Sequence, residues 1–257
     1  MKKTLLHLLL LFLLFTFNSC IKEATDDGTE NGENFGNGKT KLVKMMIDDI
    51  GRKSYEFEYD NNKRLIKSYY LDGKSLNRAT ITIKYENNRI IMDNEMVEFQ
   101  TGNISRAQRT LTLDNNGYVT RMDYGSNYTL FEYSNGYLSK QTYGSITKTY
   151  TWENGNYTTM KLIEKTPSYE SQYTEILTYG TEVNKLNINF FGDIDVFIQF
   201  KGIEPKNYQT GITTSSGSTY TFSYTFNSDG YPSVILLTTK NSGGATYDSN
   251  RYTFTYY

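Results

Sequence analysis

This chain has almost no histidine and almost no cysteine. His7 and Cys20 are the only ones in 257 residues, and both lie in the first twenty positions. Everything downstream therefore has no imidazole and no thiol. Imidazole is the usual general base and metal ligand near neutral pH. Without it the Ser-His-Asp and Cys-His mechanisms and the common zinc sites cannot be built. A single cysteine also excludes an intrachain disulfide, so the ordered part must be held by core packing alone. Proline is scarce, three residues against 20 glycines, a balance that suits strands joined by tight turns. No charge of one sign dominates. With 27 basic and 28 acidic residues and no basic patch, nucleic acid is not an expected partner.

One long apolar run is present, and it sits at the start. Met1-Lys2-Lys3 is basic, Leu5 to Phe17 is apolar except for His7 and Thr16, and Asn18-Ser19-Cys20 follows. About thirteen apolar residues fit a secretory signal peptide and fall short of the roughly 20 that a spanning helix needs. The pattern predicts residues 1–19 as a signal peptide and Cys20 as the first mature residue and lipid-attachment site. Phe17 and Asn18 depart from the usual lipobox, which has Leu three before the cysteine and a small residue two before. The alternative is an ordinary signal peptide with Cys20 incidental. The position of the single cysteine behind small Ser19 favours lipidation. Residues 20–40 then read as a flexible tether: Glu23, Asp26, Asp27, Glu30 and Glu33 against Lys22 and Lys39, four glycines, and almost nothing to bury. As a coil it would span on the order of 25 Å. Loss of Lys2 and Lys3 leaves 25 basic and 28 acidic residues, a net charge of −3.

From residue 41 a hairpin unit recurs. An alternating aromatic strand runs into an Asn/Asp-Gly turn, and a second strand leaves with Tyr or Leu. Phe131-Glu132-Tyr133 leads to Asn135-Gly136 and Tyr137-Leu138. Tyr220 to Phe226 leads to Asp229-Gly230 and Tyr231. Tyrosine is the compositional outlier, at 24 residues. Side chains alternate across a strand, so Tyr220, Phe222, Tyr224 and Phe226 share one face, and Thr221, Ser223 and Thr225 the other. Asn-Gly and Asp-Gly tolerate the positive φ that two-residue hairpins demand. No stretch shows a helical apolar period. The expectation is an all-β domain over 41–257, an antiparallel β-meander of about 16 strands forming a curved sheet or barrel-like body. Leu186–Phe191 and Val196–Phe200 read as central strands, and Lys201–Asn207 as a long loop.

Candidate chemistry is sparse. Asp193 and Asp195, two apart, share one strand face and could hold a cation or serve acid/base work, against the simpler reading of a solvated face beside Gly192. Asp114-Asn115-Asn116-Gly117 superficially resembles a calcium loop but lacks the alternating ligand spacing, so a hairpin turn is the better reading. The tyrosines could form a ligand-stacking platform, or pack cross-strand neighbours, and packing is favoured. Trp152, the only tryptophan, fits either role. The closing Tyr252–Tyr257 is similar to the last strand of an outer-membrane barrel, but Lys84 and Glu86, and Lys148, occupy alternate strand positions where lipid would have to be faced. No catalytic residue, metal site or cofactor is indicated, and no ligand-binding residue is specified.

The residues of the second half carry a resemblance. Asn184-Lys185-Leu186-Asn187-Ile188, Phe200-Lys201-Gly202-Ile203, Tyr220–Tyr224, Asp229-Gly230-Tyr231-Pro232 and Tyr252–Tyr256 together resemble an uncharacterised family of Bacteroidetes lipoproteins described as having a porin-like fold. The resemblance implies a curved antiparallel sheet or barrel-like meander and implies no activity. Lys22-Glu23 and Asp26-Asp27 resemble the charged stretch that accompanies surface export in such lipoproteins.

The expected function is a non-enzymatic outer-membrane lipoprotein, periplasmic or surface-exposed, engaged in binding or adhesion. Its membrane contact is the lipid anchor alone, and its ligand is a glycan or protein. The alternatives are a structural accessory subunit of an outer-membrane assembly and, less favoured, a carboxylate-dependent glycan-active enzyme. A concave aromatic patch favours binding, an exposed apolar face favours assembly, and a cleft with paired carboxylates favours catalysis.

Overall fold

The computed structural model describes residues 41–49, 53–186 and 203–257. Among these, sixteen strands follow one another: β1 (Val43–Asp48), β2 (Lys53–Tyr59), β3 (Leu65–Asp72), β4 (Arg78–Glu86), β5 (Arg89–Val97), β6 (Ile104–Leu113), β7 (Val119–Tyr124) and β8 (Asn127–Ser134) in the first half. The second half holds β9 (Tyr137–Tyr143), β10 (Ile146–Glu153), β11 (Asn156–Lys165), β12 (Glu170–Val183), β13 (Asn207–Thr214), β14 (Thr219–Phe226), β15 (Pro232–Lys240) and β16 (Thr246–Tyr256). Each pairs antiparallel with its neighbours in sequence, and β1 pairs with β16, so the sheet closes into a barrel. Closure removes both free edges. The expected meander is thus a closed barrel rather than an open curved sheet.

The turns form as their residues dictate. Asn135-Gly136 and Asn154-Gly155 each place two residues at positive φ, 52° and 82°, and 53° and 80°. That double-positive geometry follows the right-handed strand twist. A longer five-residue loop recurs at Asp60, Asp114, Asn227 and Asn241. In each, the side-chain oxygen accepts from the backbone N–H two and four residues on; for Asp114 these are Asn116 and Tyr118, both at 2.9 Å. Asp114 Oδ1 therefore organises the hairpin turn that the sequence reading favours.

Register separates the two faces of the wall. Tyr220, Phe222 and Tyr224 oppose Thr239, Leu237 and Ile235, and all point into the lumen. Thr221, Ser223 and Thr225 point outward. On β4, Ile81 and Ile83 are buried while Thr82, Lys84 and Glu86 face out. Outer ion pairs link Lys84 to Asp93 (3.3 Å), Arg106 to Glu95 (2.8 Å) and Lys140 to Glu132 (2.8 Å). Exposed pairs of this kind stabilise by at most about 1 kcal/mol each, but they mark the outer face as polar. A membrane barrel has the opposite plan, an apolar outer band around a polar interior. Lys148 departs from the sequence expectation: it faces the lumen, and Thr149 faces out, because β10 pairs Lys148 with lumenal Gln141.

The apolar core fills one end of the lumen, called here the base. It contains Val43, Phe57, Ile90, Leu111, Val119, Phe131, Phe222, Ile235 and Phe254. The chain also enters there: the Lys41 N–H donates to the Tyr231 hydroxyl at 3.0 Å, and its ammonium pairs with Asp229. Segments flanking residues 187–202 lie across the base. Leu186 packs on the core, Lys185 Nζ donates to the Asp229 carbonyl at 3.0 Å, and Ile203 N–H donates to the Gly136 carbonyl at 2.9 Å. A Cβ at Gly136 would stand 2.9 Å from Ile203 Cδ1 and push that side chain aside, and the φ of 82° itself favours glycine there. The expected strands at Leu186–Phe191 and Val196–Phe200 fall, beyond Leu186, outside the described residues; Leu186 itself is not in a strand.

Candidate functional site in the barrel lumen

The lumen is built in two storeys. At the base end, beside its turns, a ring of aromatic side chains donates to backbone carbonyls of the preceding strand. Tyr59 bonds Val43 (2.9 Å), Tyr85 bonds Leu65 (2.8 Å), and Tyr133 bonds Val119 (2.8 Å). Trp152 Nε1 bonds Leu138 (2.7 Å), and Tyr179, Tyr224 and Tyr256 bond Tyr157, Gln209 and Pro232 at 2.9, 2.6 and 2.6 Å. An aromatic ring fills space while its polar tip satisfies a carbonyl that the nearby bulge frees from the ladder. This repeat accounts for much of the tyrosine content. Trp152 belongs to it, packed between Tyr137 and Tyr157 with ring centroids at 4.7 and 5.3 Å. These rings are structural and do not form an outward platform.

Burial holds these phenols in the neutral form. Tyr150 is pushed up to about 12, chiefly by burial and then by the nearby Glu175 carboxylate. Tyr157, Tyr179 and Tyr224 are raised further, again chiefly by burial.

The upper storey, toward the opposite rim, is polar. On one side of the barrel, β1, β2, β3 and β16 contribute Asp48, Lys53, Tyr55, Tyr70, Asp72, Asp248 and Tyr252 to the lumen. Tyr55 and Tyr70 rings lie 5.0 Å apart, and Tyr55 is pushed up to about 12 by burial first and by its tyrosine and aspartate neighbours second. Asp72 accepts from the Lys74 and Ser75 N–H groups in its turn, and these bonds hold its carboxyl below the usual range. Asn94 Oδ1, on lumenal β5, is buried with no hydrogen-bond partner among the described residues, the kind of group that water entering a polar cavity satisfies.

A cavity of about 450 Å³ opens in the wall made by β6 to β11. Its polar lining is Arg109, Thr129, Gln141 and Lys148, and its aromatic lining is Tyr124 and Tyr143. Met122, Ile146 and Leu162 complete it. Register puts all nine on the lumenal face: Arg109 opposes Tyr124, Met122 opposes Thr129, Gln141 opposes Lys148, and Lys148 opposes Leu162. The floor is buried, with Thr129 at 2% and Met122 at 7% exposure. At this part of the rim the turns are two residues long, Gly125-Ser126 and Gly144-Ser145.

Sequence reasoning did not single out this cavity. Arg109 and Lys148 lie 39 positions apart in sequence, and each is one polar residue in an alternating strand. The signal that does exist is the lumenal parity of Lys148 with Tyr150, which only the register resolves. Asp193 and Asp195, and Cys20, lie outside the described residues. Among the described residues no group of three or more His, Cys, Asp or Glu is placed to hold a metal ion.

No family model and no curated protein matches the chain. Among solved structures, a porin-like protein from Bacteroides uniformis superposes with a TM-score of 0.63 at 15% identity, covering 85% of this chain and 99% of that one. A porin-like protein from Bacteroides vulgatus gives a TM-score of 0.48 at 15% identity, covering 84% and 99%. The first likeness defines the class: a closed, sixteen-stranded antiparallel barrel of porin-like fold. The fold implied by the sequence resemblance is therefore the fold observed.

Proposed function

We propose that this protein is a lipid-anchored, non-enzymatic binding protein of the bacterial envelope, with its barrel standing in water. The observation that supports this most is the polar outer wall. Thr82, Lys84, Glu86, Asp93, Glu95 and Arg106 make a poor lipid-facing band, because each Lys or Arg at mid-bilayer costs about 2–4 kcal/mol and each carboxylate adds a smaller cost. The apolar base closes the lumen as a conduit and leaves a cup. The described part of the chain begins at this base, where the Lys41 N–H donates to the Tyr231 hydroxyl.

The anchor has its own test. A fatty-acid probe fed to cells is expected to label the wild-type chain and to leave Cys20→Ala unlabelled. Equal labelling of the two would remove the lipid from this reading. The binding claim is tested by presenting envelope and dietary glycans and host matrix proteins to the full chain, with turnover assayed on the same panel. Binding without turnover is the expected result. Hydrolysis that vanishes in Asp193→Asn or Asp195→Asn would replace it with the enzyme reading.

A second reading, an accessory subunit of an outer-membrane assembly, is favoured by one feature. The β3–β4 and β5–β6 turns are joined by a bond from Phe99 N–H to Asn77 Oδ1 (3.1 Å), and around it Leu76, Met96, Phe99 and Ile104 are 41–57% exposed. Co-purification of a stoichiometric envelope partner, lost on Phe99→Ser, would establish that role.

A further inference from the structure

We propose that the rim sector formed by the β3–β4 and β5–β6 turns docks on a lipid bilayer, with Leu76, Phe99 and Ile104 seated at the boundary between headgroups and acyl chains. This contact is separate from the lipid anchor proposed at Cys20. It adds one bilayer contact at the rim and leaves the rest of the outer wall in water.

The two turns share one structure and differ at one position. In residues 72–77 the Leu76 N–H donates to the Asp72 carbonyl at 2.6 Å, and the Asp72 N–H to the Asn77 carbonyl at 2.9 Å. In residues 98–103 the Gly102 N–H donates to the Glu98 carbonyl at 2.8 Å, and the Glu98 N–H to the Asn103 carbonyl at 2.9 Å. The fifth position is left-handed in both, with φ of 60° at Leu76 and 69° at Gly102. Glycine takes that conformation without strain, and leucine does not. Leu76 is 41% exposed, so burial within the barrel does not repay the strain. An exposed apolar side chain held at a glycine position points to a functional surface.

Its surroundings extend that surface. Phe99 and Ile104 are exposed beside it, and the bond from Phe99 N–H to Asn77 Oδ1 ties the two turns together. On the outer wall the row nearest the rim runs Leu71, Arg78, Val97, Ile104, and the next row runs Tyr69, Thr80, Glu95, Arg106. Successive rows lie roughly 7 Å apart along the strands. Apolar turn tips and an apolar first row above a polar second row match the depth of a bilayer interface, where apolar surface sinks about 5–10 Å.

The charges favour lipid as the occupant. Each acid of the sector is already bonded. Asp72 accepts from the Lys74 and Ser75 N–H groups, Glu98 from the Thr101 hydroxyl at 2.6 Å, and Glu95 pairs with Arg106. Among the described residues Lys74 and Arg78 make no ion pair, so two cations stand beside the apolar tips, where lipid phosphates would lie. A stable protein interface buries roughly 800 Å² per partner, more than these few half-exposed side chains supply.

The test places the full chain in vesicles of phosphatidylcholine and phosphatidylglycerol in equal parts, with acyl-chain bromine as a short-range fluorescence quencher. Phe99→Trp puts a reporter at the turn, and Ile104→Trp is the second reporter. The native Trp152, bonded to Leu138 inside the lumen, should stay unquenched. Both rim reporters are expected to be quenched, and Thr149→Trp, on the outer face of β10, is not. In the Phe99→Trp chain, Leu76→Gly is expected to lower the ratio of docked to free protein about tenfold through lost apolar burial. Arg78→Gln is expected to lower it about fivefold. Leu76→Gly should also hold or raise the thermal midpoint, because it relieves the left-handed strain. Rim reporters quenched no more than Thr149→Trp, or quenching unchanged by Leu76→Gly or by Arg78→Gln, would overturn the proposal. So would a midpoint that falls on Leu76→Gly, since Leu76 would then be a packing residue, or a bound envelope protein that shields Phe99 from the bromine. Fatty-acid labelling at Cys20 reads the anchor separately, so either contact can fail without the other.

Discussion

Truncating Phe57 to alanine is expected to destabilise the barrel by about 3–5 kcal/mol. The ring is 1% exposed and projects from β2 into the core at the base, among the largest fully buried side chains in the described residues. Its loss removes the transfer free energy of the ring and leaves a cavity that a closed sheet cannot collapse to fill, since every strand is fixed on both sides. For a domain of this size the thermal midpoint should fall by roughly 6–20 °C. Thr221→Ala, facing water on β14, should stay within about 0.5 kcal/mol of wild type. Scanning calorimetry of both variants is the measurement. A Phe57→Ala midpoint within a degree or two of the Thr221→Ala midpoint would show that the base is not the source of stability.

The largest pH effect should come from alkali. Tyr55, Tyr150 and Tyr252 are pushed up to about 12, and Tyr157, Tyr179 and Tyr224 are raised further, each mainly by burial. A phenol is charged above its pKa. In the unfolded chain these phenols ionise near the ordinary value of about 10, whereas in the barrel they hold their protons longer. Between those limits the folded state binds more protons, so stability falls as pH rises. Each phenol removes up to about 1.4 kcal/mol per pH unit above 10 until it ionises in place. Partly exposed rings such as Tyr55 contribute less, because water screens them. With several acting together, cooperative unfolding is expected between about pH 10 and 12. Tyrosinate absorbance and far-ultraviolet circular dichroism should change in one step. Gradual tyrosinate formation with the strand spectrum intact at pH 12 would contradict the burial assigned to these rings.

Much of the architecture was legible in the linear chain because the β repeat is short-range physics. Alternation in Tyr220–Phe226 assigns two faces, and Asn135-Gly136 and Asn154-Gly155 assign turns, with no reference to distant residues. The all-β class, the number of strands and the turn at Asp114 all follow from such local rules. The tyrosines were legible as packing residues, but their shared bond to a carbonyl on the preceding strand was not, since it depends on where the bulges fall.

The tertiary structure alone decided the rest. Closure rests on β1 meeting β16, some two hundred residues away, and no local pattern distinguishes a closed barrel from an open sheet. Which face is the inside also waited on closure. Lys84 stands between Ile83 and Tyr85 and Lys148 between Thr147 and Thr149, and the sequence reading puts both on the outer face. Register sends Lys84 to water and Lys148 into the lumen, because a shift of one residue exchanges the two faces of a strand. The cavity is the plainest case. Arg109, Gln141 and Lys148 come from β6, β9 and β10, and they meet because sequential hairpins curve into one wall. Composition excluded the histidine and cysteine chemistries, and the repeat specified the strands; the site exists only where pairing brings those side chains to a common concavity.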